Sequence, residues 1–144
     1  MLIDDDADGQ MDLAQLETEL ERGLTMVSMT HIPTNGGLIN PAVEVGELCA
    51  RHDTVYVLDA CQSAGHVPLD VGTLKCDVLS GTGRKYLRGP RGTGFLYVGP
   101  RALERVEPPF LDLHAAEWTG ERTYEIRPDA RRFENWETLS LIHI

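Results

Sequence analysis

The apolar run Thr54-Val-Tyr-Val-Leu58, closed by Asp59, constrains this chain more than any other stretch. A run with no polar alternation is typical of a parallel strand covered on both faces. A second strand-like run, Leu24–Ile32, precedes it and ends in the turn Pro33-Thr-Asn-Gly-Gly37. Between them, Asn40-Pro41 opens a helix, with asparagine as cap and proline at the first helical position. Val43, Val45, Leu48 and Cys49 supply its apolar surface. Upstream, Asp12 can cap a helix through about Arg22, with Leu13, Leu16 and Leu20 on one face and Gly23 as its stop. Cys76–Ser80 reads as a short strand leading into Gly81–Lys85, and Gly94–Val98 as another. The brief link between those two predicts an antiparallel pair.

This order indicates an α/β fold, a mainly parallel sheet with flanking helices. In such sheets ligands collect beyond the carboxyl ends of the strands. Thr34 and Asn35 follow one such end, and Asp59 marks the next. Beyond Pro100 the pattern weakens into a short helix over Arg101–Val106, an irregular Pro108–Trp118 and a strand over Arg122–Ile126. The 144 residues suffice for one modest domain. Met1-Leu-Ile reads as the tail of a strand. Leu139–Ile144 ends in an apolar run, read either as a non-native tail or as a truncated strand.

A net charge of −10 opposes a nucleic-acid surface, which needs clustered positive charge. The short basic clusters at Arg84–Arg91 and Arg127–Arg132 suit a small anionic ligand better than a polymer. Cys49, Cys61 and Cys76 are odd in number and show no metal-ligand spacing. Nothing resembles a secretory signal, and no apolar stretch reaches membrane-spanning length. A cytoplasmic setting with no membrane partner is expected.

The chemistry-bearing residues are Asp59, Gln62 and Lys85. A carboxylate closing a buried strand costs several kcal/mol in desolvation unless a positive group meets it. It can cap a helix or make a structural ion pair, and it can equally hold a protonated ring nitrogen. Gln62, three residues on, could grip a neighbouring atom of the same flat ligand. Lys85 sits in a glycine-bracketed turn beside Arg84, Arg88 and Arg91, where nearby positive charge and partial burial lower a lysine pKa. It is otherwise a solvated basic turn. Thr82 and the amides around Gly81 and Gly83 could cradle a phosphate, although a plain tight turn needs the same glycines. A ring-binding acid and a Schiff-base lysine together are how proteins harness pyridoxal phosphate.

Three segments carry a resemblance: Thr30-His-Ile-Pro-Thr-Asn-Gly-Gly-Leu-Ile-Asn-Pro41, Val57-Leu-Asp-Ala-Cys-Gln-Ser63 and Gly81-Thr-Gly-Arg-Lys-Tyr-Leu-Arg-Gly-Pro-Arg-Gly-Thr-Gly94. In order and separation, the stretch from about Met26 to Val98 resembles the class V aminotransferase family of fold-type I pyridoxal-phosphate enzymes. That family includes cysteine desulfurases, isopenicillin N epimerase-like proteins and carbon–sulfur lyases. The resemblance implies that Lys85 carries the Schiff base, Asp59 pairs with the pyridine nitrogen and Gln62 contacts the phenolic oxygen. Thr82 would bind phosphate where relatives often have serine. Arg84 stands where desulfurases usually carry histidine, a departure that weighs toward the epimerase-like or lyase branch. Thr34 falls where relatives place an asparagine near the cofactor. Arg131-Arg-Phe-Glu-Asn-Trp136 resembles a segment leading to a loop that reaches the neighbouring subunit's phosphate, with Thr138 in that role.

The resemblance further implies a homodimer acting on an amino acid or related amine by transamination, epimerisation or carbon–sulfur cleavage. Family members run to well over twice this length. Residues 1–138 would then be a partial large domain, with a phosphate loop, a ring-stacking residue and the small domain outside it, and the fragment alone would be inactive. Cys61 is expected to be a small packing residue. A rival reading is a calcium module. Asp4, Asp6 and Asp8 alternate before Gly9, and Asp12 adds a further carboxylate, but the twelfth position is Gln15. The same residues also suit a polar turn in which Asp12 caps a helix.

Overall fold

The computed structural model describes residues 1–134, in two compact units that divide between Tyr97 and Val98. The first unit contains α1 (Leu13–Glu21), β1 (Met26–Thr30), α2 (Ala42–Arg51), β2 (Val55–Asp59), α3 (Val71–Leu74), β3 (Val78–Thr82) and β4 (Gly94–Val98). The strands form one sheet in the order β1-β2-β3-β4, with β1/β2 and β2/β3 parallel. Gly83 N donates to Thr93 O at 2.8 Å, and Gly81 packs on Phe95. Those contacts advance in opposite chain directions, as an antiparallel β3/β4 pair requires.

Asp12 caps α1 as expected, its Oδ1 accepting from Ala14 N at 2.9 Å and Gln15 N at 3.0 Å. Leu16 and Leu20 from α1 and Val45, Leu48 and Cys49 from α2 bury against Val27 and Met29 of β1, Tyr56 and Leu58 of β2, and Leu79 of β3. The helices approach closely where Gly46 of α2 meets the Leu74 carbonyl of α3. A Cβ there would overlap the oxygen. On the other face Met26, Ser28 and Thr30 of β1 are exposed, while in β2 Val55 is buried and Val57 and Asp59 are half-buried. α1, α2 and α3 all contribute to the core on the first face.

Asn40 does not cap α2. That helix begins at Ala42 with Pro41 in the cap position and no side-chain cap bond. Asn40 instead donates from Nδ2 to Thr30 O at 2.7 Å and accepts at Oδ1 from Met11 N at 3.3 Å, tying the end of β1 to the segment before α1. Met1–Ile3 is not a strand. The aspartate-rich loop folds as a tight turn closed by an Asp5–Met11 bridge. Asp6 Oδ1 accepts from Asp8 N and Gln10 N at 2.9 Å, and Asp4 Oδ2 accepts from Gln15 Nε2 at 3.2 Å. With Asp12 committed to its cap, these carboxylates serve the turn itself. Among the described residues no group of three or more His, Cys, Asp or Glu side chains could hold a metal ion.

The second unit contains α4 (Pro100–Arg105), an antiparallel hairpin of β5 (Ala116–Gly120) and β6 (Thr123–Ile126), and a 3-10 turn over Ala130–Phe133. β5 begins inside the stretch expected to be irregular. Trp118 and Tyr124 face each other across it, edge to face with ring centroids 6.3 Å apart. The buried Arg132 donates to Leu103 O and Val106 O, closing the carboxyl end of α4 with a cation. No described helix is long and apolar enough to cross a membrane.

Candidate active site

The register of the parallel strands builds the site. Thr30, Asp59 and Ser80 are aligned across β1, β2 and β3 at their carboxyl ends. Because Cβ atoms alternate along a strand, the same pleat that buries Leu58 against the helices turns Asp59 to the opposite face. Asp59 Oδ1 accepts from Cys61 N at 2.8 Å, a local turn that fixes the carboxylate and reverses the chain. Ser63 N and Ala64 N both donate to Ala60 O, completing that turn. It returns Gln62 toward the end of β1, where Gln62 Nε2 donates to Thr34 Oγ1 at 3.1 Å. Two residues 28 positions apart thus meet at one sheet edge.

Lys85 lies in the turn between β3 and β4, half-buried, with Arg84 beside it exposed and Thr82 half-buried at the end of β3. The turn is tightly bonded. Gly89 N donates to Gly83 O at 2.6 Å, Arg88 N to Lys85 O at 2.9 Å and Thr93 Oγ1 to Pro90 O at 2.7 Å. Arg88 takes a left-handed conformation with φ 57°, a strained position that these bonds hold. Lysine occurs at only two positions, 75 and 85. Lys75 is spoken for by an exposed ion pair with Glu47 at 3.2 Å.

Cys61 links the acid and the amine. Burial pushes its thiol pKa up, and a hydrogen bond to Asp59 and the Asp59 charge push it the same way. The positive charge of Lys85 and a bond with the Thr82 backbone pull it down. The thiol is thus close enough to feel Asp59, Lys85 and Thr82 at once. The cavity of about 350 Å³ bounded by Leu111, Leu113, Trp118 and Tyr124 belongs to the second unit and contains none of these groups. Thr138 and residues 139–144 lie outside the described residues.

The family model for aminotransferase class-V matches residues 2–135. The chain belongs to the class-V aminotransferase family. A Pyrococcus abyssi protein named "Probable cysteine desulfurase" is 33% identical over 132 residues, covering 92% of this class-V chain and 33% of that protein. The apo structure of a cysteine desulfurase from Thermococcus onnurineus NA1 superposes with a TM-score of 0.82 at 30% identity, over 96% of this chain and 34% of the other. A ureidoglycine–glyoxylate aminotransferase from Bacillus subtilis matches with a TM-score of 0.62 at 26% identity, over 65% of this chain and 24% of that one. The chain spans about a third of the length of the Pyrococcus relative. The α/β fold with a mainly parallel sheet is the one these class-V structures share over the matched region.

Proposed function

We propose that this class-V chain is the lysine-bearing part of the large domain of a pyridoxal-phosphate enzyme, spanning residues 1–138, with 139–144 outside it. The observation that carries this reading is the parallel β2/β3 register, which sets Asp59 opposite Ser80 on the strand that leads into the Lys85 turn. Pyridoxal phosphate, when bound, supplies an aldehyde for amine attachment and an electron-withdrawing ring. The residues fit that group. Asp59 is ordered by Cys61 N, and its Oδ2 suits a ring N–H. Gln62, steadied by Thr34, suits the phenolic oxygen. Thr82 and the exposed Arg84 suit the phosphate. Lys85 would hold the cofactor through its amine and would move a proton at the substrate's α-carbon. Asp59 keeps the ring nitrogen protonated.

For the reaction, the cysteine desulfurase relatives favour carbon–sulfur cleavage on cysteine. Arg84, in the place where desulfurases usually carry histidine, favours the second reading, the epimerase-like or lyase branch. Formation of alanine from cysteine, with its sulfur released as sulfide by an added thiol reductant, distinguishes the two. The intact enzyme is proposed to be a cytoplasmic homodimer, which sedimentation of the purified protein tests. The isolated 144-residue chain is proposed to be inactive.

The deciding experiment adds pyridoxal phosphate to the intact protein, reduces with borohydride and maps the modified peptide. Lys85 should carry the adduct and Lys75 should not, and Lys85→Ala should abolish it. Modification of Lys75 alone, or of neither lysine, overturns the assignment.

A further inference from the structure

The segment that begins at Asp59 ends on a ring. His66 stacks on Tyr86, the residue after Lys85, with centroids 4.2 Å apart and planes 15° from parallel. A second contact reinforces it. Gly65 has φ +79°, and a Cβ placed on it would lie 3.0 Å from the Tyr86 carbonyl carbon and 3.1 Å from Leu87 N. The Gly65 backbone therefore packs directly on the backbone that follows the lysine. The position of His66 is itself fixed, because His66 N and Val67 N both donate to Ser63 O, at 2.9 and 3.0 Å, and Ala64 pairs with Val67. The Lys85 turn is thus held by its own bonds to Gly83 and Thr93 on one side and by Gly65 and His66 on the other.

From this geometry we propose that His66 is a positioning residue that, by stacking on Tyr86, sets Lys85 against Asp59. The inference rests on the cofactor reading above. His66 touches neither the amine nor the acid. Its effect runs through the Tyr86 ring, so ring shape is what matters, and a phenylalanine can replace the imidazole. Both rings are exposed, so their replacement leaves the buried core intact.

The test uses the intact protein, pyridoxal phosphate and borohydride trapping, with His66→Ala, His66→Phe and Tyr86→Leu. Loss of one aromatic pair supports a drop of about five-fold in the trapping rate at Lys85 for His66→Ala and Tyr86→Leu. His66→Phe should retain the wild-type rate, and Lys75 should stay unlabelled throughout. Cofactor-free hydrogen exchange at the Arg88 and Gly89 amides, which bond to Lys85 O and Gly83 O, should quicken in His66→Ala and recover in His66→Phe. Wild-type trapping and exchange in His66→Ala, or a His66→Phe as slow as alanine, overturns the proposal. If the wild type gives no Lys85 adduct, the cofactor reading fails, and the amide exchange alone decides whether the ring clamps the turn.

Discussion

Substituting Gly83 by alanine tests whether the Lys85 turn is held by close packing. The backbone at Gly83 is not left-handed, so alanine is conformationally allowed and any cost is steric. A Cβ built there overlaps Thr93 Oγ1 and lies 3.2 Å from Thr93 Cβ and the Thr93 carbonyl oxygen. Thr93 has little freedom to retreat, because its hydroxyl donates to Pro90 O at 2.7 Å and its carbonyl accepts from Gly83 N at 2.8 Å. Rotating the hydroxyl away forfeits about 1 kcal/mol of hydrogen bonding. The remaining tight contacts fall within the ~1–3 kcal/mol range of overpacking. Gly83→Ala should therefore destabilise by about 2 kcal/mol. Thr93→Ala alone removes one exposed hydrogen bond and costs up to about 1 kcal/mol. In the double variant the hydroxyl overlap is gone, so the two costs should be less than additive by about 1 kcal/mol. Urea unfolding followed by circular dichroism reads this out. With a slope of ~2 kcal/mol per molar, the Gly83→Ala midpoint falls by about 1 M. A neutral Gly83→Ala, or strict additivity in the double variant, would refute the packing account.

Two further perturbations probe the core beneath the site. Tyr56 is fully buried, its hydroxyl has no hydrogen-bond partner among the described residues, and burial pushes its phenol pKa far up. Tyr56→Phe should stabilise by about 1 kcal/mol, since an orphaned buried hydroxyl costs roughly 1–3 and the void left by one oxygen offsets part of that gain. A lower melting temperature in the variant would show that the hydroxyl is satisfied after all. His31 is buried with Nδ1 unpartnered, and burial lowers its pKa. Its unfolded form binds a proton before its folded form does. Its contribution to stability is complete above about pH 6.5 and declines as pH falls from there through the folded value, by at most about 1.4 kcal/mol per pH unit. Unfolding titrations of wild type and His31→Gln should diverge in slope below that pH, and parallel curves would refute the argument.

The first unit was largely legible because its signals are local. Asp12 announces its helix, since a carboxylate before an apolar stripe satisfies orphan amides wherever the chain goes next. β2 announced itself by apolar continuity. The misreadings arose where one residue served a distant partner. Asn40 reads as a cap from its neighbours, yet its amide is used by Thr30 and Met11, which lie 10 and 29 residues away. The aspartate loop matched a cation pattern by spacing, but spacing does not reveal that Asp6 accepts its own turn's amides. β5 stayed hidden because it starts inside the proline-led Pro108–Trp118 stretch, and the partner that makes it a strand is β6, where Tyr124 meets Trp118 edge to face.

The site divides along the same line. That Asp59 and Lys85 belong together came from recurring motifs, for nothing in their spacing of 26 positions says they meet. The sheet supplies the missing reason. β2 and β3 are parallel neighbours, so their carboxyl ends fall at the same edge, and β3 continues two residues past Ser80, the partner of Asp59, before the Lys85 turn. The sharp turn stabilised by Cys61 N then keeps residues 60–66 at that edge instead of letting them run off across the helices. His66 escaped notice because its ring stacks on Tyr86 of the adjacent loop, 20 positions away. An imidazole has no periodic signature, and its role exists only once β2 and β3 are zipped in register. Shifting that register by one residue would turn Asp59 into the helix-packed face and carry Lys85 away from it. The apolar faces of Leu58 and Leu79, which forbid such a slip, are therefore as much a part of the site as the acid and the amine.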